Sequence, residues 1–144
     1  MRLISATAQA YQLLHQMLKL FVGAHSPFEL VDPTSGEDLR SRVQLLLNRW
    51  PSAAPTREHF NVTLINNAGI RKTPTEAPMT DAAAAISALF RAKATRWRIR
   101  DVFVVEPVGG SSHVLLRQNG DVRISIPPGG VVVMSVTIAD TGLP

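Results

Sequence analysis

The chain contains no cysteine, which excludes disulfides, thiolate metal sites and cysteine nucleophiles. No apolar run approaches the ~20 residues that cross a membrane as a helix. Aromatic residues make up 6% of the sequence, too few to suggest a base-stacking platform for single-stranded nucleic acid. No H-x-H, H-E-x-x-H, G-x-S-x-G or P-loop pattern occurs. His15, His25, His59 and His113 stand apart, with none at metal-ligand spacing. Only one pair of acids is adjacent, Glu37-Asp38, and it sits where a structural element could begin. The 144 residues fall short of the roughly 200 that a (β/α)8 barrel needs. No catalytic residue, metal ligand or cofactor is therefore expected.

What is present suits one globular domain. Hydrophobic residues are 45% and charged residues 18%, which argues against wholesale disorder. The net charge is +4, from 15 Lys+Arg against 11 Asp+Glu. That balance invites a polyanion partner without establishing one.

Residues 1–24 read as an amphipathic helix. Leu3, Ala10, Leu14, Met17 and Phe21 recur at spacings that build one apolar face. Ile4, Tyr11 and Leu18 widen it, and Gly23 supplies a stop. Arg2, the apolar residues after it and Ala24 give the outline of a signal peptide. Gln9, Gln12, His15, Gln16 and Lys19 interrupt its hydrophobic region, so the helix is the preferred reading. A glutamine-rich polar face does not suit a membrane surface. The stripe instead calls for an occupant: the rest of the chain, a second copy or a larger protein partner.

Residues 25–144 read as short strands with turns between them. Candidate strands are 28–31, 43–50, 60–65, 97–105, 113–117, 122–126 and 131–138. Asp32–Gly36, Pro51–Pro55, Asn66–Gly69, Gly109-Gly110, Asn119-Gly120 and Pro127–Gly130 punctuate them. Val122, Ile124 and Ile126 alternate with Arg123 and Ser125. Asn119-Gly120 predicts a type I′ hairpin. The last strand is apolar on both faces, which predicts a central position or cover on both sides. Two segments stay open between helix and strand. Residues 37–50 carry Leu39, Val43, Leu46 or Leu47 and Trp50 at helical spacing, but their second half also fits a strand. Residues 80–94 open with Thr80-Asp81 and Ala82–Ala85, which propensity alone makes a helix.

Arg91, Lys93, Arg96, Arg98 and Arg100 place five cations within ten residues. Arg96, Arg98 and Arg100 would share one strand face, with Trp97 and Ile99 opposite. We read this as a solvated outer face whose charges discourage edge pairing. The alternative is an anion-binding surface for nucleic acid or another polyanion. Trp50, Trp97 and Tyr11 could form a sugar-binding platform, but both tryptophans are expected in the core.

Leu64-Ile65-Asn66-Asn67-Ala68-Gly69-Ile70 is similar to the N-N-A-G stretch of short-chain dehydrogenases. That family also needs a glycine-rich dinucleotide loop and a Tyr-x-x-x-Lys pair. This chain has no G-x-G, and its one tyrosine, Tyr11, is followed four residues later by His15. The dehydrogenase reading is rejected.

A broader likeness covers residues 43–138. The same Asn66–Ile70 stretch, then Lys72-Thr73-Pro74, Asp81, Arg98–Phe103, Glu106-Pro107-Val108 and Pro127-Pro128-Gly129-Gly130 follow in order. This order resembles the C-terminal β-sandwich behind the (β/α)8 barrel of several glycoside hydrolase families. The N-terminal helix is similar to the apolar helix that precedes that sandwich. The resemblance implies that 43–49 pairs with 60–65 and that 86–92 is a strand despite its alanines. Catalytic carboxylates of such enzymes lie on the barrel, so none is carried over. The expectation is a mostly β chain: an antiparallel β-sandwich with an N-terminal amphipathic α-helix. It would be a non-catalytic accessory module that docks on a barrel partner or sister chain. Carbohydrate would be met only through that partner, and nucleic acid is the lesser alternative.

Overall fold

A computed structural model describes residues 9–14, 16–18, 21, 25–108, 113–117 and 119–142. The chain is mostly β, and its sheets are antiparallel. Ten strands follow in order: β1 (Phe28–Val31), β2 (Val43–Trp50), β3 (Arg57–Asn66), β4 (Ile70–Arg71), β5 (Met79–Thr80), β6 (Ile86–Ala92), β7 (Trp97–Val108), β8 (His113–Leu116), β9 (Val122–Ile126) and β10 (Val131–Asp140). They form two four-stranded sheets, β1-β6-β9-β8 and β2-β3-β10-β7, and a small β4-β5 ribbon. Residues 9–14, 16–18 and 21 are helical.

Period-two alternation decides which face each strand buries. Val122, Ile124 and Ile126 of β9 are fully buried, as are Phe60, Val62 and Leu64 of β3 and Val132, Met134 and Val136 of β10. One core cluster draws on both sheets, joining Phe28, Leu30, Ala88 and Phe90 to those residues. Each fully buried aliphatic or aromatic side chain contributes roughly 1.5–3 kcal/mol. Strand β10 is central as expected, lying between β3 and β7. The pairing of 43–49 with 60–66 is present, from Val43↔Asn66 to Arg49↔Phe60.

Both open segments resolve toward β structure. Residues 39–41 make one 3-10 turn capped by Asp38, and the remainder to Trp50 is β2. The Arg40 guanidinium hydrogen-bonded to Asp38 holds that carboxyl below its ordinary range. The propensity expectation of a helix over 80–94 is overturned. Only Ala82–Ala84 turn, as a 3-10 segment whose cap Asp81 accepts from the Ala83 N–H. Strand β6 follows because Ile86, Ala88 and Phe90 alternate into the core, and that burial outweighs alanine's local preference.

One of two glycine turns carries a correction. The Asn119-Gly120 turn is not type I′, which would need positive φ at both residues. Only Gly120 has it, at φ 86°. Gly120 N–H donates to Arg117 O and Arg117 N–H to Asp121 O, so the loop closes with a glycine bulge. At the Pro127–Gly130 turn, Gly129 has φ 62°, and an added Cβ would lie 1.8 Å from Ile70 Cδ1. The glycine is needed there for both conformation and close approach.

Asn66 ties these parts together. It is fully buried at the end of β3. Its Nδ2 donates to Ala84 O at 2.9 Å, Pro127 O at 3.2 Å and Ile126 O at 3.4 Å. Its Oδ1 accepts from Ala68 N–H at 3.0 Å. The N-N-x-G stretch is therefore a junction between three loops.

Candidate functional site

The helical residues present an exposed apolar stripe. Ala10, Leu14, Met17 and Phe21 are all exposed, with Phe21 at 62%. Tyr11, Leu13 and Leu18 are exposed beside them, each by more than half. Leu3, the remaining expected member of the stripe, lies outside the described residues. His25 is also helical; its Nδ1 lies 2.9 Å from Phe21 O, and the two rings stack at 4.3 Å. Ser26 then locks the start of β1, its hydroxyl accepting from Phe28 N–H and donating to Phe28 O.

The five cations do not lie on one strand. Arg91 is on β6 in the first sheet and ion-pairs with Glu29 of β1 at 2.8 Å. Lys93 and Arg96 fall in the crossing between β6 and β7. The Arg96 guanidinium lies 5.1 Å from the Trp97 ring centroid and 3.8 Å from the Asp140 carboxylate. Arg98 and Arg100 belong to β7 in the second sheet and make no ion pair among the described residues. A register shift against Thr137/Ile138 leaves Arg100 as an extra residue, so Arg100 and Asp101 are both exposed. Arg96, Arg98 and Arg100 face solvent while Ile99 is buried and Trp97 packs against the core.

Trp50 corrects the expectation that both tryptophans are buried. It is 53% exposed, on the outward face at the end of β2. Phe103 of β7, 72% exposed, is on the outward face of the same sheet, as are the half-exposed Leu46 and Val105. Neutral polar residues lie between the two aromatics: Asn48, Asn61, Ser135 and Phe103 share one row across the four strands. His59 Nδ1 lies 2.9 Å from Thr137 Oγ1 in the next row. This face was missed by the sequence reading. The signal for it was the alternation of Phe103 and Val105 with inward-facing Val102 and Val104.

Among the described residues no three His, Asp or Glu side chains converge as a metal site would require. No helix among them is long and apolar enough to cross a membrane. Searched against family models, curated proteins and solved structures, the chain matches none.

Proposed function

We propose that this chain is a non-catalytic β-sandwich accessory module with an N-terminal docking helix, similar to the tails of barrel glycoside hydrolases. Residues 1–24 would be the docking element and 25–144 the sandwich, with the two sheets packed over their shared core. The observation that carries the reading is the exposed stripe of Leu14, Met17, Leu18 and Phe21. A soluble protein seldom leaves that much contiguous apolar surface without an occupant. The ordered motifs from Asn66 to Pro127–Gly130 support the comparison with hydrolase tails.

Sedimentation of the chain alone, and mixed with a barrel enzyme lacking its own sandwich where the neighbouring reading frame encodes one, tests this. The expected result is a larger species, formed with the barrel or with further copies, that is lost in Leu14→Glu/Met17→Glu. A chain that stays monomeric in both samples would overturn the docking reading.

The polyanion reading draws its support from Arg98 and Arg100, exposed and without ion pairs among the described residues. Two such cations predict weak, salt-labile binding, since log K falls with salt in proportion to the number of phosphates neutralised. Retention on heparin should vanish by about 0.2 M salt. Retention that persists well beyond that, and disappears in Arg96/Arg98/Arg100→Ala, would favour this reading over docking.

A further inference from the structure

We infer that the occupant of the helical stripe is the same stripe on further copies of this chain, so that the module self-assembles through its N-terminal helix. The inference rests on the docking reading above and names its partner. Three observations carry it.

The first is spacing. Ala10, Leu14, Met17 and Phe21 follow at intervals of four, three and four. That is the alternation of the two seam positions in a helix that packs along another helix. Tyr11 and Leu18 flank the seam on one side and Leu13 on the other. At 3.6 residues per turn these seven residues cover an arc of about 160°. Gln9, Gln12 and Gln16 occupy the opposite side. A two-stranded seam buries a narrower strip, so the width favours more than two helices.

The second is charge. Residues 3–21 contain no acid and one base, Lys19, whose spacing puts it on the glutamine side. Identical helices laid side by side therefore meet no like-charge repulsion at the flanks, where charged residues ordinarily set partner choice. The same neutral polar face is poorly suited to an anionic membrane surface.

The third is area. Tyr11, Leu13, Leu14, Met17, Leu18 and Phe21 are each 53–69% exposed. Their exposed surface is on the order of 600 Å² per chain, approaching the ~800 Å² per partner of a standard stable interface.

Light scattering on the full chain tests the inference. The expected mass is a multiple of 15.7 kDa, three or more. Leu14→Gln/Met17→Gln should return the monomer, and Gln12→Ala on the polar face should leave the mass unchanged. Both substituted positions are exposed, so the sheets stay folded, which circular dichroism verifies. A 15.7 kDa species at all concentrations up to about 100 μM would overturn self-assembly. If that monomer still bound the neighbouring barrel, docking would stand and only the self-assembly would fail. If it bound neither, both readings would fail. Co-sedimentation of the monomer with phosphatidylglycerol vesicles would likewise overturn the inference in favour of a lipid surface.

Discussion

Replacing Asn66 by alanine is expected to destabilise the chain by about 3 kcal/mol. The amide sits fully buried where β3 ends. Its two Nδ2 hydrogens serve three carbonyls, with Ala84 O and Pro127 O the nearer and Ile126 O the farther. Its Oδ1 also holds the Ala68 N–H. Alanine removes all of these at once, and the buried Ile126 carbonyl, the part-buried Ala84 and Pro127 carbonyls and the Ala68 N–H lose that partner. Each such group costs roughly 1–3 kcal/mol, and sharing among three acceptors keeps the total near the low end of the sum. Domains of this size have about 7–15 kcal/mol of stability in all, so the loss is a large fraction. Urea titration should show a lower midpoint with an unchanged slope. Asn66→Asp should be worse than Asn66→Ala, because a carboxylate cannot donate and places a charge among three carbonyl oxygens. An Asn66→Ala loss below about 1 kcal/mol would mean that water or loop rearrangement satisfies those groups, and the junction role would be abandoned.

The strands most legible in the sequence are those whose alternation is local. Val122, Ile124 and Ile126 each separate from a polar neighbour, and β9 has the bounds the pattern predicts. The last strand shows both faces apolar, and a central position between β3 and β7 follows. Residues 80–94 were less legible, because four consecutive alanines state a helix preference locally. The opposing terms are long-range: Ala88 is fully buried and pairs with Ile124 from a strand more than thirty residues away. Trp50 shows the same limit from the other side. Its size suggests burial, yet strand parity places it outward at an edge. The cation cluster was visible as composition, but the break at the β6–β7 crossing assigns Arg91 and Arg98 to different sheets. The helical stripe needed only spacing to find, since an amphipathic helix records its apolar side within a few turns. Asn66 was recognised as part of a turn. Its burial was not legible, because all three acceptors lie 18 to 61 residues further along the chain.

Phe28→Ala is expected to have the largest effect, a loss of about 3–5 kcal/mol. The ring is fully buried. It stacks on Phe90 of β6 at 4.6 Å and meets Phe60 of β3 edge-on at 5.1 Å. The first contact is within its own sheet and the second reaches the other sheet, so this side chain helps to join the two. Aromatic pairs add about 0.5–1.5 kcal/mol each beyond burial. The consequence is local as well as global. Strand β1 has four residues and, among the described residues, pairs with one strand, β6, besides a single bridge from Val31 to Asp38, so Phe28 and Leu30 are its apolar anchors. Without the ring, β1 should open at lower free energy than the rest of the sheet. Hydrogen exchange at 28–31 should then accelerate before exchange in β9 or β10 does. Phe28→Leu should recover part of the stability, because leucine refills much of the volume but restores neither ring contact. If exchange at 28–31 rises only together with β9 and β10, β1 unfolds with the whole sheet, and its separate opening is ruled out.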